Sequence, residues 1–323
     1  MIDTRTNGIV ASIDVGQTTT AMAVNPAGTR VYGANVESMV VIDTATNSVV
    51  ARTQYGFEPD LYPGVVPGDG SVGVAVSPSG TEIYLVDDWH HGVAIVSAET
   101  NTVIGRVTPT SYNAAAIALS PDGKYIYETA DYDDTVLVVD AAARLVIATI
   151  LIDNPFMVPP ESAGNFSAYP SGIVVNPTGT RAYVANLFLS DQAGGEDHMS
   201  VIDTATNTII ANVPIGQSLP IGTPMSIAMN PQGTRVYLSN GAVIDPATNQ
   251  LVGTMLPSGF GMAINSDGSR LFALQQAPSQ VLVFDTETNE LLTRIPVDGT
   301  PYALAHIDGV PPVNDLNVPD TGN

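Results

Sequence analysis

The chain has 323 residues, 44% of them hydrophobic and only 13% charged, a composition that can bury a core and excludes a largely disordered protein. Ten basic residues against 32 acidic ones give a net charge of −22, which repels nucleic acid and anionic lipid, and no basic patch stands out to overcome it. No apolar run is long enough for a membrane-spanning helix, and the absence of cysteine removes disulfides, thiolate metal sites and thiol nucleophiles. Met1-Ile2-Asp3-Thr4 lacks the basic start of a secretory signal, so an exported form is expected to be mature protein or a fragment.

The first predicted element surrounds a phrase, Asp3-Thr-Arg-Thr-Asn7, that returns along the whole chain. Next come Ala21-Met-Ala-Val24, the turn Asn25-Pro-Ala-Gly28, Arg30-Val-Tyr-Gly33, Met39-Val-Val-Ile42, a second copy of the phrase at Asp43-Thr-Ala-Thr-Asn47, and Ser48-Val-Val-Ala51. Short Val/Ile/Tyr runs bounded by such turns read as strands, here A, B, C and D of one antiparallel unit. Asn, Asp and Ser bond nearby backbone, Pro presets φ, and Gly accepts positive φ. Further on, Ser77-Pro-Ser-Gly80, Ser120-Pro-Asp-Gly123, Asn176-Pro-Thr-Gly179, Asn230-Pro-Gln-Gly233 and Asn265-Ser-Asp-Gly268 repeat the A–B turn. Ser97-Ala-Glu-Thr-Asn101, Asp140-Ala-Ala-Ala-Arg144, Asp203-Thr-Ala-Thr-Asn207, Asp245-Pro-Ala-Thr-Asn249 and Asp285-Thr-Glu-Thr-Asn289 repeat the C–D turn. A four-stranded sheet recurring at about 40 residues is a propeller blade.

The expected fold is therefore all-β, a seven-bladed β-propeller of four-stranded antiparallel blades. Six complete blades run from Thr20 to Val297. The seventh is composite, joining an N-terminal C and D remnant, Met1 to Val15, to a lone strand A at Pro301 to Ile307, which removes a sheet edge. That blade has no convincing strand B, and its strand C starts late because only Met1 and Ile2 precede Asp3. Residues 1–310 are expected to form a single domain and 311–323 a tail. Pro311, Pro312 and Pro319 make the tail a poor central strand, although Asn317 to Asn323 echoes the strand C phrase. Met1, Ile2, Val313, Leu316 and Val318 are the expected assembly edge.

The order Ala-Val-Asn-Pro-x-Gly-Thr-Arg-Val-Tyr, then Val-Ile-Asp-Thr-Ala-Thr-Asn, resembles the YVTN family of β-propeller repeats, with Tyr183-Val184-Ala185-Asn186 nearest the naming motif. The resemblance runs from the first residues to about His306. It implies architecture rather than activity, since members include surface-layer proteins, a DNA-binding periplasmic protein and, more distantly, propeller lyases and lactonases. The charge balance argues against the DNA-binding role. Arg30, Arg181, Arg235 and Arg270 recur at the start of strand B, which points to repeat structure rather than ligand contact.

In a four-stranded meander the A–B and C–D turns share one face, and the B–C and D–A connections share the other. Length variation lies on the second face, at Gly56 to Gly70, Asp153 to Pro170 and Leu187 to His198, and long loops on a rigid scaffold are where function usually resides. The expected ligand-binding face is Phe57, Glu58, Asp60, Tyr62, Asp88, Trp89 and His198. Within it, Glu58, Asp88 and His198 are candidate ligands for Ca²⁺, Mg²⁺ or Zn²⁺, and His91 or His306 a candidate base.

A structural reading stands beside each. His90 and His91 are adjacent, so on an extended segment they point to opposite sides. Asp131-Tyr-Asp-Asp134 lacks the glycine and distal Glu of a calcium loop. Trp89, Phe57, Tyr62, Phe156 and Phe166 form either a ligand platform or anchors that pack a loop down, and Asn165-Phe-Ser167 fits a glycosylation acceptor. No nucleophile elbow, phosphate-binding loop or His-Glu-x-x-His is present.

The favoured expectation is an extracellular or cell-surface binding and assembly module with no predicted cofactor. It would take a protein or carbohydrate ligand on the long-loop face. It would self-associate, as an oligomer or filament, through a neighbouring chain's tail. The alternative is a metal-assisted propeller lyase or lactonase with its site at the channel mouth on that face.

Overall fold

In the computed structural model, which describes residues 1–16, 18–35, 38–55, 73–87, 92–107, 114–131, 133–152, 168–187, 197–216, 226–256 and 260–307, the repeated phrases are tight turns. In the A–B turns the first side chain holds the backbone: Asn25 Oδ1 accepts from Thr29 N at 2.8 Å and Arg30 N at 3.0 Å, and Asn176 and Asn230 repeat the pattern. Ser77 does the same through its hydroxyl. In the C–D turns Asp43 Oδ1 accepts from Ala45 N and Thr46 N, both at 2.9 Å. The closing residue is left-handed at Asn7, Asn47, Asn101, Asn207, Asn249 and Asn289, where a short amide side chain tolerates positive φ, and Arg144 takes the same conformation in the copy Asp140 to Arg144.

Among the described residues there are 26 strands, each antiparallel to its neighbours. A hairpin, β1 (Ile2–Asp3) and β2 (Gly8–Ile9), comes first. Sheet one is β3 (Ala21–Val24), β4 (Arg30–Ala34), β5 (Ser38–Asp43) and β6 (Ser48–Gln54). Sheet two is β7 (Val74–Val76), β8 (Glu82–Asp87), β9 (Gly92–Ser97) and β10 (Val103–Val107). Sheet three is β11 (Ala114–Leu119), β12 (Tyr125–Ala130), β13 (Thr135–Asp140) and β14 (Leu145–Leu151). Sheet four is β15 (Pro170–Val175), β16 (Arg181–Asn186), β17 (Asp197–Asp203) and β18 (Thr208–Gly216). Sheet five is β19 (Ile227–Met229), β20 (Val236–Leu238), β21 (Ala242–Asp245) and β22 (Gln250–Thr254). Sheet six is β23 (Phe260–Ile264), β24 (Arg270–Gln276), β25 (Ser279–Asp285) and β26 (Leu291–Pro296).

Each sheet packs its face on the next, and the core is the set of these interfaces. Tyr32, Met39 and Val41 of sheet one meet Ile83, Leu85 and Ala94 of sheet two. The same layering joins sheets two to three, three to four, four to five and five to six. A tyrosine recurs at one position of strand B, at Tyr32, Tyr84, Tyr127, Tyr183 and Tyr237, and all five are buried, so desolvation holds each phenol above its ordinary pKa. The Tyr237 hydroxyl donates to Thr286 O of the following sheet at 3.3 Å, so the polar tip of a core side chain ties two blades together. First strands lie against one another around a common axis, and the outermost strands alternate exposed with half-buried residues. The chain is thus an all-β propeller of four-stranded antiparallel blades.

Six such blades are present among the described residues, where seven were expected. The difference lies at the composite position. There β1 and β2 form only a two-stranded sheet, and residues 301–307 join no ladder. The hairpin pairs at only two positions, Ile2 with Ile9 and Asp3 with Gly8, so no four-stranded blade forms there among the described residues. Even so, the two ends meet. Ile2 and Leu304 both pack on the outer face of sheet six, against the cluster of Phe272, Leu274, Val281, Val283 and Ile295. Gly261 in β23 permits this, since a Cβ there would lie 3.3 Å from Leu304 N and 3.4 Å from Tyr302 O. Gly73 plays the same part against the backbone of Ala116 and Ile117 at the start of sheet three.

Candidate functional site

The face made by the B–C and D–A connections is built on the ends of strands A to D, and its described part is richest in polar groups where sheets three and four meet. Thr129 Oγ1 accepts from Ala116 N at 2.9 Å and donates to Ser171 O at 3.2 Å, joining β12 to β15 across the interface. Asn186 Nδ2 donates to Ser200 Oγ at 2.9 Å, and Ser200 Oγ donates to Asn212 Oδ1 at 2.7 Å, a polar line across three strands of sheet four. Asp134 Oδ1 accepts from Ala168 N at 2.7 Å and Tyr169 N at 3.1 Å, so one carboxylate pins the chain where it returns into β15. Tyr169 sits at φ 38°, a left-handed conformation that a bulky side chain adopts only when its surroundings impose it.

His198 was expected on the long B–C loop. It lies instead inside β17, opposite Asn186 and Pro214, and is fully buried beside an equally buried Asp197. The loop ends sooner than its polar composition suggests because strand pairing continues to Asn186 and Asp197. His306 is half-buried with its ring stacked on Phe272, centroids 6.0 Å apart and planes at 17°, so it packs against sheet six. Met1 and Ile2 are at the closing position, where the Met1 ammonium donates to Ala11 O and burial lowers its pKa. Phe57, Glu58, Asp60, Tyr62, Asp88, Trp89, His90, His91, Phe156, Asn165, Phe166, Val313, Leu316 and Val318 lie outside the described residues. Among the described residues no group of three or more His, Asp or Glu is arranged to hold a metal ion, and no helix is long and apolar enough to cross a membrane.

Two acidic groups, one buried and one half-buried, escape a reading by phrases. Glu128 is fully buried in β12, between Ile117 and Leu137 in register, where the equivalent strand B residues are Gly33, Leu85, Val184, Leu238 and Ala273. That departure from an otherwise apolar column was the available signal. Asp134 carried no such mark, because its partners, Ala168 and Tyr169, are distant in sequence. The recurrent arginines act within the repeat: Arg30 pairs with Asp43, Arg181 with Asp203 at 2.5 Å, and Arg235 with Asp245 at 3.5 Å.

No protein-family model and no curated protein matches this chain. Among solved structures it is similar to hydrazine synthase of Kuenenia stuttgartiensis, with a TM-score of 0.68 and 16% identity over 89% of each chain. It is also similar to a functionally unknown protein from Desulfotomaculum acetoxidans DSM 771, with a TM-score of 0.65 and 19% identity over 88% of this chain and 87% of that one. The likeness is one of fold: this chain shares the β-propeller architecture of those proteins.

Proposed function

We propose that this chain is an extracellular or cell-surface binding and assembly module on a seven-position propeller ring of the YVTN kind. Residues 301–307 act as strand A of the seventh blade, and the β1–β2 hairpin as its C and D. The observation that carries this reading is the edge left at the closing position. Residues 11–15 alternate half-buried and exposed as the outer strands do, yet they join no ladder among the described residues, and no described residue supplies strand B. An edge with free backbone donors and acceptors accepts an added strand. The proposed donor is residues 311–323 of a neighbouring chain, with Val313, Leu316 and Val318 as its apolar contacts, and Met1 and Ile2 at the receiving edge. Head-to-tail donation yields a ring where the rotation between copies closes and an open filament where it does not. The long-loop face remains the proposed ligand face, for protein or carbohydrate, and the net charge of −22 disfavours nucleic acid there.

Light scattering of the whole chain and of a chain lacking residues 311–323, over a range of concentrations, tests the assembly claim. Concentration-dependent growth that disappears with the deletion is expected. A monomer at every concentration with the tail present, or assembly unchanged without it, contradicts the proposal.

A further inference from the structure

At the junction of the closing segment with sheet one, Thr18, Thr19, Thr300, Tyr302 and Ala303 line an open recess of about 400 Å³. Both sides are chain entering a strand A, so the recess opens on the long-loop face. Its volume falls within the roughly 300–1,000 Å³ of small-molecule sites. Its chemistry is narrow. Three threonine hydroxyls and a phenol each donate and accept hydrogen bonds, and none of the described lining residues carries a charge. Among the described residues the lining offers no basic group to hold an anion and no carboxylate or imidazole to hold a metal. Tyr302 is 43% exposed, and it is the one aromatic among the exposed large hydrophobic side chains of the described residues, the others being aliphatic. An exposed ring with an apolar face and a polar tip, beside neutral hydroxyls, suits a ligand that also pairs a C–H face with a rim of hydroxyls.

We infer that this recess binds a neutral saccharide, one to two hexose units long, whose ring stacks on Tyr302 while its hydroxyls bond to Thr18, Thr19 and Thr300. The inference deepens the reading of this face as the ligand face and is independent of tail donation.

The test is titration of the whole chain with maltose, cellobiose, lactose and N,N′-diacetylchitobiose, followed by amide chemical shifts. At least one sugar is expected to saturate with a Kd of about 1 mM, the weak end of the affinity scale. Its shift changes should centre on Thr18, Thr19 and Thr300 to Ala303. Tyr302→Ala should weaken binding about tenfold or more, and Thr300→Val should weaken it as well, with both variants keeping the dispersed amide spectrum of the folded protein. The chain lacking residues 311–323 should bind the same sugar equally well even if its assembly is lost, which separates this inference from the assembly claim. No saturation by any of the four sugars, or saturation that Tyr302→Ala leaves unchanged, overturns it.

Discussion

Asp203 shows how much one side chain of the repeat does. Its Oδ1 accepts from Ala205 N at 3.0 Å and Thr206 N at 3.1 Å, while Oδ2 meets Arg181. The Thr206 amide is the main cause that holds its carboxyl below the usual range, as the Thr46 amide does for Asp43 and the Thr288 amide for Asp285. Asp122, held by the Ser120 hydroxyl and by Lys124, falls to about 2. A carboxylate whose pKa is lowered by folding adds stability above its unfolded value, near about 3.9, and that stability is lost as pH falls through the folded value. Thermal melts are therefore expected to hold steady from pH 7 to about 5 and to drop below about 4. A chain carrying Asp43→Asn, Asp203→Asn and Asp285→Asn should melt lower at pH 7 and lose less on acidification; an identical acid slope contradicts this assignment. The turn glycines offer a second residue-scale test. Gly123 has φ +71°, and a Cβ there would lie 2.9 Å from Pro78 Cδ in the preceding blade's turn. Gly123→Ala is expected to cost about 1 kcal/mol or more in urea unfolding, since it adds backbone strain to a close contact.

At the scale of elements, the outermost strands carry an apolar surface without being open templates. Leu145 and Leu151 of β14 are 62% and 66% exposed, and the strand has no charge, proline or glycine. In all six blades the register shifts by one residue between the third and outermost strands, and such bulges twist an edge away from further pairing. Leu151→Lys is expected to leave stability within about 0.5 kcal/mol while raising solubility, checked by urea unfolding and precipitation. Strands and turns were legible because their signals are local: Asn25 and Asp43 bond amides within five residues, and the Val/Ile/Tyr runs sit between them. The site was less so. His198 reads as a loop residue because Gly194, Gly195, Glu196 and Asp197 before it are turn-forming or polar, whereas pairing with Asn186, distant in sequence, puts it in a strand. The hydroxyl recess was invisible for the same reason, since Thr18 and Thr300 meet only once the chain has gone around the ring.

For the whole molecule, closure of that ring is the step on which both proposals depend. Among the described residues the closing segments are held by Ile2 and Leu304 on sheet six, by Arg52 Nη1 donating to Val15 O at 2.7 Å, by Gln276 Nε2 donating to Pro301 O at 3.3 Å, and by the backbone of Tyr302 to Leu304 against Gly261. Gly261→Val would push that backbone away and is expected to destabilise the fold by about 1–3 kcal/mol. It should also increase hydrogen exchange in residues 301–307 before any other strand, because closing elements with few contacts open first. Because the chain has no cysteine, spin labels can be placed at will. The most direct measurement is the pulsed electron–electron distance between labels at Arg5→Cys and Thr300→Cys in dilute, monomeric protein. A single short and narrow distance, unchanged by dilution, is the result that closure through the termini predicts. A broad distribution at several times that separation, with the six blades intact by circular dichroism, would contradict it.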